Sequence, residues 1–234
     1  MAILVTGGAG YTGSQVCIEL LKQSYDVVVV DNFLTTTSIG SINRIRQAAE
    51  KDFKLYAIDL GQKDLVNRIF EENEIEGVIH FAGIKCNGIY KKNPMEYYYT
   101  NLASTIILCE AMQEHDVKKI LFSSSEGFYG DNGSDTTTYG SAKLMIEKIL
   151  HEAYSVDPTW SIRIVRYLVQ GDNVYSKKDV KVEDMAKLFI EEFKKIVPEQ
   201  IETYTLKIAE KSLSVEPGEN FLGYKVEDFS FITQ

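Results

Sequence analysis

Residues 3–14 read ILVTGGAGYTGS, and residues 26–32 read DVVVVDN. The first segment predicts a buried strand followed by a turn with glycines at positions 7, 10 and 13. Between the two segments, apolar residues recur at intervals of three and four, which is typical of the inner face of a helix. The valine run of the second segment ends at a carboxylate, Asp31. The order of strand, glycine turn, helix, strand and acid predicts a unit that binds a dinucleotide.

Each part of this unit has a physical reason. Gly7 permits the tight turn, Gly10 lets a pyrophosphate approach the backbone, and Gly13 lets the helix pack closely. The N–H groups at the start of the helix carry a partial positive charge that favours phosphate. Asp31 lies eighteen residues after Gly13, where a carboxylate can accept hydrogen bonds from both ribose hydroxyls and would repel a 2′-phosphate. The predicted cofactor is therefore NAD rather than NADP, although the spacing is G-x-x-G-x-x-G rather than G-x-G-x-x-G.

Composition narrows the class of protein. With 234 residues, 44% of them hydrophobic, the chain can form one large α/β domain with a small appendage. Its net charge of −9 argues against nucleic acid as the main partner. No apolar run approaches membrane-spanning length and the chain begins directly with a strand, so we expect neither a membrane anchor nor a signal peptide. The three cysteines lack metal or disulfide spacing, and we expect reduced thiols in a cytoplasmic protein.

The alternation of strand and helix patterns continues as far as Tyr167. It predicts a doubly wound parallel sheet of the Rossmann type, with helices on both faces. We expect residues 1–168 to form the nucleotide-binding domain and residues 169–234 to form a small, reduced C-terminal substrate lobe. Within the first domain, the polar segment Thr35–Gly40 predicts a loop, and Ile42–Glu50 predicts a helix.

Several residues near predicted strand ends allow two interpretations. Asp59 can meet the adenine amino group of a cofactor, or it can cap the following helix. His80 lies inside an apolar strand, where a packed core histidine is more common than a ligand. Lys85 can reach a ribose or a phosphate. Asn101 can bind backbone near the cofactor or be a surface amide, and the tyrosines 97–99 suit either packing or a partner surface.

Tyr139 and Lys143 are spaced so that both project from one face of a helix. A free tyrosine has a pKa of about 10, and a neighbouring ammonium lowers that pKa by favouring the phenolate. Ser125, at the end of the preceding strand, can hydrogen-bond the same substrate oxygen as Tyr139. This combination predicts a catalytic Ser, Tyr and Lys set, whereas the Tyr-x-x-x-Lys spacing alone also suits an exposed helix face.

The chain resembles the extended short-chain dehydrogenase/reductase family, and within it the UDP-glucose 4-epimerase family. The matching segments span nearly everything from Ile3 to Tyr167: ILVTGGAGYTGS, DVVVVDN, DFKLY followed by DL, VIHFAGIK, PMEYYYTNL, VKKILFSSS, YGSAKLMIEKIL and DPTWSIRIVRY. The resemblance implies an isomerase of galactose metabolism that holds NAD and a UDP-hexose, oxidises the sugar transiently at C4, and pairs as a homodimer through the helices at Pro94–Glu114 and Tyr139–Tyr154. It assigns the chemistry to Ser125, Tyr139 and Lys143. It also places the following residues around NAD: Gly7, Gly10, Tyr11, Thr12, Gly13, Asp31, Asn32, Asp59, Leu60, Phe81, Ala82, Gly83, Lys85, Asn101, Ser123, Tyr139, Lys143 and Tyr167.

The sequence departs from that family in its substrate half. Only thirteen residues separate Ser125 from Tyr139, and Glu126 adds a negative charge after the serines. Tyr167 is followed by Leu168 and Val169, without the asparagine of the family motif, and most of the uridine-binding lobe is missing. A natural reduced homologue and an engineered or deleted form both remain open. Two other functions also remain open: a non-catalytic NAD-binding or regulatory homologue, and an NAD-dependent reductase with a smaller substrate.

Overall fold

The computed structural model describes residues 1–34, 38–84, 93–125, 138–169, 181–209 and 212–217. Within these ranges the strands are β1 (Ala2–Thr6), β2 (Asp26–Val30), β3 (Lys54–Tyr56), β4 (Ile75–His80), β5 (Lys119–Ser125), β6 (Ser161–Val169), β7 (Ile201–Ala209) and β8 (Ser212–Pro217). The helices are α1 (Tyr11–Lys22), α2 (Ser38–Ala49), α3 (Lys63–Glu71), α4 (Pro94–Glu114), α5 (Thr138–Val156) and α6 (Val182–Lys194).

All eight strands form one sheet in the order β3-β2-β1-β4-β5-β6-β7-β8. Neighbouring strands from β3 to β7 are parallel, and β8 pairs with β7 in the antiparallel direction. The chain order reverses between β1 and β4, which is where a doubly wound sheet opens a crevice at the carboxyl ends of its strands. The predicted doubly wound parallel sheet is confirmed.

The first strand illustrates why both faces of the sheet are covered. Ile3 and Val5 are buried in a core cluster that includes residues of α1, α2 and α6. Ala2 and Leu4 point to the other face and are buried in a cluster with residues of α3, α4 and α5. Burial of one such aliphatic side chain contributes about 1.5–3 kcal/mol. A strand that is apolar at every position therefore stabilises the fold only when helices pack on both of its faces.

The structure corrects the predicted loop at Thr35–Gly40. Helix α2 begins at Ser38, so the loop prediction is wrong over its last three residues, and residues 35–37 lie outside the described ranges. The buried stripe of this helix starts only at Ser41 and Ile42. The polar and glycine residues around Ile39 give the first turn of α2 the composition of a loop.

The described part of the C-terminal region joins the same layers as the rest of the fold. Strands β7 and β8 extend the sheet beyond β6. Helix α6 packs against α1, and its Phe189 and Phe193 lie in the core cluster of that face. Strand β8 lies in a segment for which the sequence predicted no strand. The division into residues 1–168 and a substrate lobe of residues 169–234 stays a prediction.

Candidate active site

The glycine turn after β1 is closed by backbone hydrogen bonds and leaves no room for side chains. The N–H of Gly7 donates to the Val30 carbonyl at 2.8 Å, and the N–H of Gly10 donates to the Gly7 carbonyl at 3.0 Å. Gly7 has φ of +66°, and a Cβ built there would lie 2.7 Å from the Ala82 nitrogen. A Cβ on Gly13 would overlap the Gly7 carbonyl oxygen. The first turn of α1 is therefore held directly against the glycine turn, where the strand order of the sheet reverses. Doubly wound sheets bind ligands at such a point, and the predicted contact with a pyrophosphate stays a prediction.

The acids predicted to bind the adenosine half lie side by side after β2 and β3. Asp31 accepts the N–H of Ala9 at 2.9 Å through one carboxylate oxygen and the N–H of Phe33 at 2.9 Å through the other. These hydrogen bonds fix its carboxylate beside the glycine turn. The neighbouring Asn32 donates from Nδ2 to Asp59 at 2.9 Å.

The helix-cap interpretation of Asp59 is wrong. The N-cap of α3 is Gln62, and it makes no side-chain cap hydrogen bond. The Asp59 carboxylate instead accepts the N–H of Gly61 at 2.7 Å, in the turn before the helix, and is held there by Asn32. The alternative contact with an adenine amino group stays a prediction.

The segment after β4 runs along the same edge of the sheet. Its Phe81 N–H donates to the Thr6 carbonyl at 3.0 Å, and its Ile84 N–H donates to Asn101 Oδ1 at 2.9 Å. Asn101 is buried, so the surface-amide interpretation is wrong and the predicted contact with backbone is confirmed. A Cβ on Gly83 would lie 2.9 Å from Asn101 Oδ1 and 3.6 Å from Lys143 Nζ. This segment therefore passes within contact distance of the predicted catalytic helix.

Lys143 is buried beside the carboxyl end of β5. Its Nζ donates to the Ser123 carbonyl at 3.0 Å and lies 5.7 Å from the centre of the Tyr139 ring. Burial lowers the pKa of Lys143 to about 8, and the charge of Glu147 opposes that shift. An ammonium has three donors, and Ser123 accounts for one of them, so Lys143 can also donate to a ribose hydroxyl. The helical spacing of Tyr139 and Lys143 is confirmed, because both lie on α5.

Ser125 ends β5, half-buried, at the edge where α5 begins. It pairs in register with Tyr167 of β6, so the backbone of Tyr167 also reaches this edge. One edge of the sheet thus carries the glycine turn, Asp31, the segment after β4 and Ser125. Lys143 reaches the same edge from α5. What these groups bind or do there stays a prediction.

The remaining predicted site residues are placed as follows. Tyr11 and Thr12 open α1, and Tyr11 is exposed. The Leu60 side chain is buried in the core cluster beneath α3, and the Phe81 ring packs edge-on against Phe189 at 4.9 Å. Lys85 and Glu126 lie outside the described residues.

Sequence reasoning missed a buried ionic group directly behind this edge. Arg166 donates from Nε to Glu147 at 2.9 and 3.1 Å, and Ser124 Oγ donates to the same carboxylate. Glu147 and Arg166 are 1% and 2% exposed. The available signal was weak: a glutamate one helical turn after Lys143, and an arginine inside an apolar strand.

His80 is confirmed as a packed core residue. Its ring is fully buried and hydrogen-bonds Thr6 at 2.6 Å and Thr105 at 3.0 Å. Burial, with a smaller contribution from the Lys143 charge, lowers its pKa to about 3. The ring is therefore neutral at pH 7.

The depressed pKa of His80 predicts a loss of stability in acid. Between pH 6.5 and about 3 the unfolded chain binds a proton at this position that the folded chain excludes. The free energy of unfolding should fall by about 1.4 kcal/mol per pH unit from His80 alone. Urea unfolding at pH 7 and pH 5 should show a smaller acid loss in His80→Asn than in the natural chain. Equal losses in the two proteins would contradict a neutral buried His80.

The fold and the site define a class of protein: an α/β nucleotide-binding protein with a tyrosine–lysine helix beside its glycine turn. The chain belongs to the NAD dependent epimerase/dehydratase family, whose profile matches residues 3–205. It is 46% identical over 177 residues to UDP-glucose 4-epimerase of Bacillus subtilis, a match that covers 71% of this chain and 52% of that protein. It is 43% identical over 178 residues to the enzyme of the same name from Haemophilus influenzae, with 71% and 52% covered. The chain therefore spans about half the length of these relatives.

A similar solved structure is UDP-glucose 4-epimerase from Bifidobacterium longum in complex with NAD+ and UDP. It is 33% identical, with a TM-score of 0.77, and the match covers 88% of this chain and 78% of that one. The Thermotoga maritima enzyme with UDP-glucose is 31% identical, with a TM-score of 0.62 over 71% of this chain and 55% of that chain. Within the described residues, no helix is long and apolar enough to cross a membrane.

Proposed function

We propose that this chain is a sugar-nucleotide 4-epimerase that interconverts UDP-galactose and UDP-glucose with bound NAD. One observation carries the proposal: the Tyr139–Lys143 helix, the end of β5 with Ser125, and the glycine turn of β1 meet at one edge of the sheet. The similarity to UDP-glucose 4-epimerases supports the substrate class.

The residues present fit NAD. At Gly7 and Gly13 a Cβ would clash with neighbouring backbone, so the turn before α1 is lined by backbone rather than by side chains. The backbone N–H groups at the N-terminus of α1 would bind the two phosphates. The Asp31 carboxylate is already oriented by Ala9 and has lone pairs left for ribose hydroxyls. Lys143 has donors left for the second ribose. When bound, NAD would supply the chemistry of accepting a hydride from sugar C4 and returning it.

The chain's own residues would accept the proton of the sugar hydroxyl and later return it. The Tyr139 phenolate would accept the proton of the sugar 4-hydroxyl, and the buried Lys143 ammonium would stabilise that phenolate. The Ser125 hydroxyl would hydrogen-bond the same sugar oxygen and hold it during transfer. Because the reaction inverts the configuration at C4, the oxidised sugar would have to turn within the site so that the hydride returns to its opposite face. The same tyrosine would then return the proton.

Incubation of the purified chain with UDP-galactose tests the proposal directly. We expect UDP-glucose to accumulate, with bound NAD released on denaturation and no net consumption of NADH. Bound NAD without conversion, and without heat of binding for UDP, would favour a non-catalytic or regulatory homologue instead. The short match to the full-length relatives is the observation behind that second candidate. Net oxidation of NADH with a carbonyl substrate would favour a reductase.

We also propose that two copies of the chain pair through α4 and α5. These helices pack against each other, and each carries exposed apolar side chains. On α4, Met95 and Tyr99 are 73% and 75% exposed, and on α5 Met145 and Val156 are also exposed. Adjacent exposed apolar residues on neighbouring helices are typical of an interaction surface.

The pairing has a specific test. Light scattering at micromolar concentration should give the mass of a dimer. Tyr99→Glu should weaken that dimer by about 100-fold or more, since it places a charge in an apolar interface. Val197→Glu, an exposed apolar residue after α6, should leave the dimer intact. A monomer mass for the natural chain would contradict the proposal.

We place the protein in the cytoplasm. Cys17 and Cys109 are buried free thiols in the described residues, as suits a reducing compartment. The acidic net charge of −9 argues against nucleic acid as a partner.

A further inference from the structure

The buried Glu147 carboxylate joins β5 and α5, which carry the proposed catalytic groups, to the neighbouring strand β6. Glu147 lies on α5, one helical turn after Lys143. It accepts hydrogen bonds from Arg166 on β6, and from Ser124 Oγ on β5. One carboxylate therefore ties the catalytic helix to the carboxyl ends of two neighbouring strands.

Two contacts between α5 and β5 lie directly before the predicted catalytic residue Ser125. Ser124 lies between Ser123, whose carbonyl accepts Lys143 Nζ at 3.0 Å, and Ser125. Two successive residues of β5 are thus bound to two successive turns of α5. The position of Ser125 relative to Lys143 depends on both contacts, because no other residue separates Ser125 from the anchored backbone.

Several titratable and charged groups face this buried region. The described ones are Tyr139, Lys143, Glu147 and His151 from α5, His80 from β4 and Arg166 from β6. His80 is neutral, and burial lowers the pKa of His151. The negative charge of Glu147 acts on the Lys143 ammonium and pairs with the Arg166 guanidinium.

We propose that Glu147 is a positioning residue that fixes α5 against β5 and β6 through Ser124 and Arg166, and that its negative charge acts on the Lys143 ammonium one helical turn away. The role of Glu147 in catalysis rests on the proposed epimerase function. The electrostatic effect of Glu147 on Lys143 does not depend on that function, because it is present without substrate.

The pH dependence of stability tests the charge role without turnover. The pKa of Lys143 is about 8 in the folded chain and 10.5 ordinarily, so the unfolded chain binds more protons between those values and stability rises with pH there. Glu147 raises the pKa of Lys143 in the folded chain, so Glu147→Gln should start this rise at a lower pH. The rise should be absent in Lys143→Met, which assigns it to this lysine.

Glu192→Gln is the matched control. Glu192 is 2% exposed and binds Arg163 of the same strand β6 at 2.8 Å, so it is also a buried glutamate paired with arginine. It lies on α6, away from α5. Both substitutions should lower the melting temperature, but only Glu147→Gln should shift the pH at which stability rises.

Kinetics test the positioning role. Glu147→Asp keeps the charge but shortens the reach to Ser124 and Arg166, so we expect kcat for UDP-galactose to fall about 10²-fold with little change in KM. Its stability should rise over the same pH range as in the natural chain. If Glu147→Gln does not fold, the kcat of Glu147→Asp still tests the positioning role.

An unshifted stability curve for Glu147→Gln, an equal shift for Glu192→Gln, or full kcat in Glu147→Asp would overturn the proposal. An inactive natural chain would overturn the epimerase function, while the stability curves would still decide the role of Glu147.

Discussion

Tyr139→Phe should lower the epimerase kcat by about 10²- to 10⁴-fold while leaving bound NAD in place. The substitution removes only the phenolic oxygen, which is the group that would accept the 4-hydroxyl proton. The ring and its position 5.7 Å from Lys143 Nζ are retained, so the packing of α5 should change little. The measurement is kcat for UDP-galactose, with NAD quantified after denaturation of the same preparation.

Tyr154→Phe provides the control for that experiment. Tyr154 lies on the same helix, and its hydroxyl donates to the Glu199 carbonyl at 3.0 Å. Loss of this hydrogen bond should cost about 1 kcal/mol of stability and leave kcat unchanged. If both variants lose activity equally, the effect belongs to α5 as a whole and Tyr139 has no special role.

Gly13→Ala should abolish NAD binding and destabilise the fold. An added Cβ would overlap the Gly7 carbonyl oxygen, which is backbone and has no rotamer through which to move away. Alanine is intrinsically better than glycine in a helix by about 1 kcal/mol. Overpacking costs about 1–3 kcal/mol even where side chains can adjust, so the clash exceeds the helical gain. We expect an NAD affinity at least about 100-fold weaker by calorimetry, and a lower midpoint in urea.

Gly40→Ala is the same change where no clash exists. Gly40 lies in α2, and an added Cβ meets nothing within 4 Å. This variant should be as stable as the natural chain or more stable by up to about 1 kcal/mol, with unchanged NAD binding. Tight NAD binding by Gly13→Ala would show that the turn relaxes and that its close packing against α1 is dispensable.

The fold was predictable because its signals are local. The apolar run at Ile3–Val5, the glycines and the valines before Asp31 each report a nearby backbone requirement. The order of strands and helices then restricts the topology, since parallel neighbours need right-handed crossover connections whose helices pack on the faces of the sheet. The start of α2 at Ser38 was missed because its first residues include serine and glycine, which are typical of loops.

The site was only partly predictable. The spacing of Tyr139 and Lys143 is a helical relation within one element, and it fixed their common face. The cap interpretation of Asp59 failed because α3 begins three residues later than that interpretation requires, with Gln62 as its N-cap. The contacts of Asp59 with Asn32, and of Asn101 with the backbone of Ile84, join residues 27 and 17 positions apart and could not be predicted from local spacing.

The amino-acid sequence by itself determined the nucleotide-binding architecture and the helical pair that would move the proton, because both follow from spacing within a few turns of chain. Only the tertiary structure decided that Ser124, Glu147 and Arg166 form one buried ionic group. Glu147 lies 23 positions after Ser124 and 19 positions before Arg166, and the three residues come from three elements. Their contact depends on how β5, β6 and α5 are aligned, and no periodicity within a single element encodes that alignment.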